Sequence, residues 1–280
     1  MRTKHEMTVT FRRIVLSFIV LITAIMGYGQ GRQFGLTDLS TVLGSGDRTL
    51  EVNATYFERP VYKYSELGTR AKWIFGLGHR LQSSLYLNVT RSRSFTYCGP
   101  SKEPIVYHKN IEYYYSMSSE WKYSLLSRKS APVGVAILTT GTFGVEGYKW
   151  ENKVVVDWET SHHLVAFNFI HAAEWHKVRY TWSDDRFETF TKYRLLAGYM
   201  YRFNTRIGVG LEAKLAVRPF EQFNVDSYPD RKLFAGPSGY YVTGRNFFIL
   251  HLYHQVNIKE ERASFLNDKV GGRLLVGMHF

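Results

Sequence analysis

The sequence predicts an all-β chain, folded as an antiparallel up-and-down barrel of about 12 strands that crosses a membrane. Three observations carry that prediction. Apolar and polar residues alternate strictly over stretches of about ten residues or more, the length needed to cross a bilayer at a tilt. A basic N-terminus precedes a short apolar run. The chain ends on Phe280, with apolar residues at alternate positions before it.

The leader comes first. "MRTKHEMTVTFRR" is followed by "IVLSFIVLITAIMGYG", from Ile14 to Gly29. That run is short against the ~20 residues of a spanning helix, and it fits the apolar region of a signal peptide. Gly27 and Gly29 supply the small residues of a cleavage site before Gln30, so residues 1–29 are expected to be a signal peptide and 30–280 the mature domain. A small residue followed by Gln resembles signal-peptide ends common in Bacteroidota. No Cys flanks the cut, which argues against a lipid anchor there, and Cys98 is the sole cysteine, so no intramolecular disulfide is available. Loss of Arg2, Lys4, Arg12, Arg13 and Glu6 lowers the formal charge from +12 to +9, leaving a basic mature chain.

The strands follow. In "TRIGVGLEAKLAVRPF", residues 205–220, Arg206, Gly208, Gly210, Glu212, Lys214 and Arg218 share one parity, and Ile207, Val209, Leu211, Ala213, Leu215 and Val217 share the other. Successive strand side chains point to opposite faces. A soluble sandwich would turn the apolar face to a core, whereas a transmembrane barrel turns it to lipid. Similar alternation marks strands near 48–58, 69–77, 80–92, 109–124, 133–143, 150–159, 163–181, 188–203, 205–218, 243–258 and 269–280. These make eleven, and a single-chain bacterial barrel has an even number. A twelfth is expected in 31–43 or in the 219–242 connection, unless a long segment is wrongly split.

Connections are tight at 76–79, 160–162 and 203–206 and long at 59–68, 92–108 and 219–242, the asymmetry of outer-membrane barrels. Aromatics near strand ends, Trp73, Trp121, Trp158, Tyr180, Trp182, Tyr201 and Phe203, are candidate interfacial anchors. "GGRLLVGMHF" places Leu274, Val276 and Met278 on the parity of Phe280. That ending resembles the assembly signal of bacterial outer-membrane β-barrels. The resemblance implies an outer-membrane location in a Gram-negative cell, contact with outer-membrane lipid, and docking of the last strand on the barrel-assembly machinery.

The polar parity would line a lumen. Its bases include Arg70, Lys72, Arg202 and Arg206, and the densest patch is expected where Lys192, Arg194, Lys214 and Arg218 meet on adjacent strands. In a confined lumen one-sided charge sets the potential that ions feel. The reading is a passive, porin-like channel favouring small anionic solutes, among them acidic sugars, by analogy with basic twelve-stranded channels for acidic oligosaccharides. A closed structural or docking barrel, whose interior is filled by ion pairs and whose long loops bind a partner, is the alternative.

A barrel hydrolase stands third. Each of His79, His108, His171, His176, His251 and His254 lacks a serine two positions on, and no Asp-x-His occurs. "SHH" at Ser161–His163 reads as a turn. No catalytic residue, metal site or cofactor is assigned, because no zinc-type spacing or phosphate loop is present. Nucleic-acid binding is not expected of such an exported chain.

Overall fold

The computed structural model describes residues 33–59, 64–98, 106–128, 131–145, 147–181, 184–218, 230–256 and 270–280. The expected signal peptide, 1–29, and Trp182 lie outside them, as do the side chains of Tyr180 and Arg218. Twelve strands run in chain order: β1 (Arg48–Arg59), β2 (Tyr64–Gly76), β3 (Leu81–Cys98), β4 (Val106–Leu126), β5 (Val133–Gly144), β6 (Gly147–Glu159), β7 (His163–Thr181), β8 (Asp184–Arg202), β9 (Ile207–Arg218), β10 (Asp230–Thr243), β11 (Asn246–Val256) and β12 (Val270–His279). Each pairs antiparallel with its sequence neighbours, and β12 closes on β1 with Val52 opposite Val276. Closure removes the sheet edge that hydrocarbon could not satisfy.

The strand missing from the alternation is β10, inside the 219–242 connection. Gly236 and Pro237 interrupt its apolar–polar rhythm. They also interrupt its ladder, since β10–β11 pairing passes from Ala235↔His254 to Ser238↔His251. Residues 33–43, the described part of the other place where a strand was expected, form none.

The phasing of the wall follows the alternation. On β9, Val209 and Leu211 are exposed on the outer face, while Gly208 and Glu212 are buried inside. Leu85, Leu87, Met117, Ile137, Val154, Phe167, Leu195, Leu250 and Leu274 continue the exposed apolar belt around the barrel. Aromatic rings bound it. Trp73, Trp121, Trp158, Tyr201 and Tyr241 stand toward the end with the short turns, and Tyr56, Tyr115, Phe143, Tyr148 and Tyr193 toward the other. Trp158 and Tyr148 are separated by ten residues of β6. At ~3.4 Å per residue and a tilt of about 40°, that separation spans roughly 25 Å, the height of a hydrocarbon-facing band. Phe203 is exposed in the turn beyond Tyr201, and the two rings pack edge to face at 5.2 Å.

Placing a cation on this belt has a defined cost. Leu211→Arg is expected to destabilise the barrel by about 2–4 kcal/mol, read by urea unfolding in lipid vesicles. The same change at Ala216 on the inner face should cost clearly less.

The C-terminus meets the short-turn end, where Phe280 N–H donates to the Arg48 carbonyl at 2.9 Å. The longest connections, 219–229 and 257–269, lie at the opposite end.

Candidate functional site

Residues 33–47 enter the barrel at its short-turn end and run along the inside of the wall. Irregular backbone in an enclosed lumen must find hydrogen-bond partners for its own N–H and C=O groups. Here wall side chains supply them. At the entry, Gly44 N–H donates to Asp47 Oδ2 at 3.1 Å, and Leu43 N–H to Gln82 Oε1 of β3 at 3.1 Å. Lys122 of β4 caps the carbonyls of Leu39 and Thr41, the latter at 2.6 Å. Asp157 of β6 accepts from Ser40, from its N–H and from its hydroxyl at 2.8 Å.

Further along, the Asn168 amide of β7 pairs with both backbone groups of Asp38, accepting from the N–H at 2.7 Å and donating to the carbonyl at 3.0 Å. Lys153 meets the Asp38 carboxylate. Glu212 of β9 then gathers three consecutive N–H groups: Gly35 at 2.8 Å, Leu36 at 2.7 Å and Thr37 at 2.8 Å. Successive N–H groups turned to one point form an anion-binding concavity, and the carboxylate here fills it. Arg273 of β12 donates to the Gly35 carbonyl at 2.6 Å. The strap thus touches β3, β4, β6, β7, β9 and β12, crossing the lumen from one wall to the other.

Below the strap the interior is apolar. Phe34 and Leu39 pack with Leu164, Ala166, Met200, Tyr240, Phe247, Ile249 and Leu275, all inward residues near the short-turn end. Phe34, Leu164, Met200 and Leu275 have no solvent-accessible surface, so this part of the lumen is packed. Gly198 makes the fit possible: a Cβ there would lie 2.7 Å from the Phe34 ring. Gly35 is equally confined, since a Cβ would lie 2.8 Å from Cβ of His251. On the opposite wall, Lys72 pairs with Glu120 at 3.0 Å and lies 4.8 Å from the Tyr86 ring centroid, both ions being buried.

Above the strap the inner wall is charged and partly open. Lys192 meets Glu174, and Arg194 meets Glu151, which also takes Lys149 at 3.4 Å. His176 lies 3.1 Å from Glu174. Lys214, one rung from Arg194 across the β8–β9 pairing, has no acidic partner among the described residues. Its ammonium sits 4.9 Å from the Phe234 ring centroid, within electrostatic range of Arg194 and Arg273. Arg70, 5.1 Å from the Tyr86 ring centroid and bonded to Asn88 Oδ1 at 2.6 Å, acts electrostatically on Lys149 from the other wall. The strands therefore bring Lys192, Arg194 and Lys214 together, with Lys149, Arg70 and Arg273 completing the mouth.

Other members of the expected patch lie elsewhere. Arg206 is exposed in the 203–206 turn, outside the lumen, because alternation stops where the strand stops. Arg202 is held at the short-turn rim by Glu159 and the Thr160 carbonyl. Lys72 is neutralised by Glu120 below the charged mouth.

The strap was not legible as a site. Its recognition runs through backbone groups, which leave no residue pattern. A signal did exist in the wall, where Glu212 stands as the lone acid in the interior parity of β9. On the outer face of β12, Leu274 and Phe280 are exposed and Val276 and Met278 half-buried.

No protein-family model matches the chain, and no curated protein matches it. Similar solved structures do exist. An outer membrane channel from Pseudomonas putida F1 is 9% identical with a TM-score of 0.56, covering 85% of this chain and 97% of its own. The NanC porin is 13% identical with a TM-score of 0.53, covering 82% and 98%. The KdgM porin, solved in complex with oligogalacturonate, is 8% identical with a TM-score of 0.51, covering 83% and 99%. At such identities the likeness shows the fold alone: a closed antiparallel barrel of the architecture that these outer-membrane channels share.

Proposed function

We propose that this barrel is an outer-membrane channel for small anionic solutes whose lumen is shut at rest by the N-terminal strap. One observation carries the reading: a basic mouth lies directly above an obstruction that is not part of the wall. The polar contacts described between residues 35–43 and the barrel are to wall side chains, so the strap can leave without breaking the sheet. The mouth holds Lys149, Lys192, Arg194, Lys214, Arg70 and Arg273 against Glu151 and Glu174, and that excess attracts anions in a low-dielectric enclosure. Acidic sugars are the favoured class, in line with the ligand of the KdgM structure.

Conductance in a planar bilayer under a KCl gradient tests this. The intact protein should pass little current, and a variant lacking residues 33–43 should show steps with an anion-side reversal potential. Replacing Lys192, Arg194 and Lys214 by Ser in that variant should move the reversal potential toward zero by a measurable fraction, since these bases set the local potential. A correctly folded, strap-less barrel that stays silent would sink the channel reading.

A second reading rests on the solvent-free packing beneath the strap. In it the barrel is a permanent platform, and the long connections on the opposite face bind a partner. Silence of the strap-less barrel is the result it requires.

A further inference from the structure

The outer wall carries an anomaly in its apolar belt. Thr139 of β5, Asn152 of β6 and His171 of β7 are direct cross-strand neighbours, Thr139 opposite Asn152 and Asn152 opposite His171. All three point outward. On its own strand each has apolar outward residues two positions away toward the short-turn end: Ile137, Val154 and Phe169, all exposed. Toward the other end, β6 continues outward with exposed Trp150. The row therefore lies within the belt, between the two sets of aromatic rings.

Hydrocarbon contains no hydrogen-bonding partner, so a polar group facing it must be paired or incurs a large desolvation penalty. Thr139 Oγ1 donates to Asn152 Oδ1 at 3.0 Å, and that is the only bond the row makes among the described residues. The two amide hydrogens of Asn152 are left over. So are the ring nitrogens of His171, whose one described contact is with the Tyr193 ring at 5.3 Å. The wall is also hollowed here. A groove of about 390 Å³ is lined by Trp121, Tyr123, Ile137, Val154, Phe169 and the three polar residues. Convex barrel walls offer lipid no reason for such a dent.

We infer that this groove is the interface through which two copies of the chain associate side by side in the membrane. The chemistry favours a second copy over any other occupant because the row is self-complementary. An amide both donates and accepts, and a neutral imidazole does the same. In a two-fold contact the surface on one copy meets the identical surface on the other, so Asn152 and His171 can satisfy Asn152 and His171 of the partner without any charge entering the bilayer. A lipid chain could fill the apolar part of the groove but would leave the Asn152 amide hydrogens and the His171 ring nitrogens unpaired. The flanking rings of Trp121, Tyr123 and Phe169 supply the packing area, and helix-free walls associate in lipid by the same packing and interchain bonds that join membrane helices.

Two experiments decide the matter. The first is single-molecule photobleaching of singly labelled, full-length protein in lipid vesicles over a range of protein-to-lipid ratios. Two-step bleaching is expected for the wild type, and Asn152→Leu/His171→Leu should weaken association at least about tenfold. These substitutions remove polar groups from lipid, so the variant should fold as well as or better than the wild type, checked by its heat-sensitive electrophoretic migration. The second is disulfide formation by Asn152→Cys in a Cys98→Ser background, with Leu250→Cys on β11, five strands around the barrel, as control. A cross-linked dimer from the first and none from the second is expected. Single-step bleaching of the wild type, a dimer that survives the double substitution, or equal cross-linking at both positions would overturn the inference, as would recovery of a different protein in the cross-linked product.

Discussion

Glu212→Ala should free the strap. Three consecutive N–H groups, of Gly35, Leu36 and Thr37, would lose their shared acceptor inside a region closed to water. A buried donor left unpaired costs about 1–3 kcal/mol, so the loss for the three together is about 3–9 kcal/mol. That exceeds what the remaining contacts of residues 35–37 replace. The expected result is protease cleavage within 33–43 from the short-turn side, in a barrel that keeps its heat-sensitive migration. Channel current should appear in the same preparation. Glu212→Gln keeps the shape and an acceptor oxygen while losing the charge, and should fall between wild type and Ala. An Ala variant whose strap stays protected would show that the carboxylate is dispensable, and the side chains of Phe34 and Leu39 would then be the anchor.

Phe34→Ala is the companion test, and it isolates that anchor. Phe34 is wholly buried among Leu164, Met200, Phe247 and Leu275. Its truncation should cost about 3–5 kcal/mol, from lost burial and from the cavity left behind. Because all of Phe34's neighbours except Leu39 belong to the wall, the loss should fall on strap docking and not on the sheet. Tm of the barrel is expected to drop only slightly, while hydrogen exchange at Gly35–Ser40 rises strongly. Gly198→Val approaches the same pocket from the wall: its new side chain would collide with the Phe34 ring. It should therefore reproduce the exchange phenotype with Phe34 intact. If both variants retain full protection of Gly35–Ser40, the hydrogen bonds to Glu212, Asn168 and Asp157 hold the strap without the apolar anchor.

What the sequence discloses here follows from what is periodic. A strand that faces lipid on one side must keep that side apolar at every second residue, so β1, β5, β7 and β9 declare themselves within two residues of their ends, while β3 runs six residues past its expected end. β10 does not, because Gly236 and Pro237 sit in mid-strand and mimic a loop. The rule also misleads where it is carried past its domain. Arg206 has the parity of the lumen but occupies a turn, where parity has no meaning. The charged mouth was visible in outline through Lys192, Arg194 and Lys214. Their acids were not, since Glu151 and Glu174 pair across strands and no local pattern announces the partner. The strap is the extreme case. "FGLTDLS" has no period that marks it for an interior, because the wall recognises much of it through its peptide groups. Its side-chain constraints, Phe34 and Leu39 in the apolar core, Gly35 against His251, Asp38 on Lys153 and Ser40 on Asp157, follow no repeating pattern.

The seam between the first and last strands has a consequence for how the molecule is made. β1 and β12 lie at opposite ends of the barrel-forming chain, yet each completes the other's ladder. The strap emerges before any strand and is tethered to β1 by Asp47. It cannot be threaded in from the membrane side later without crossing hydrocarbon. Its partners appear in the order Gln82, Lys122, Lys153 and Asp157, Asn168, Glu212 and finally Arg273, matching synthesis from β3 to β12. A growing, curling sheet can therefore wrap around the strap as around a mandrel. The last strand brings Arg273 to the Gly35 carbonyl in the same movement that zips Val276 to Val52. Sealing the wall and latching its contents can thus share one movement, in which the last strand completes both the ladder and the grip on the strap.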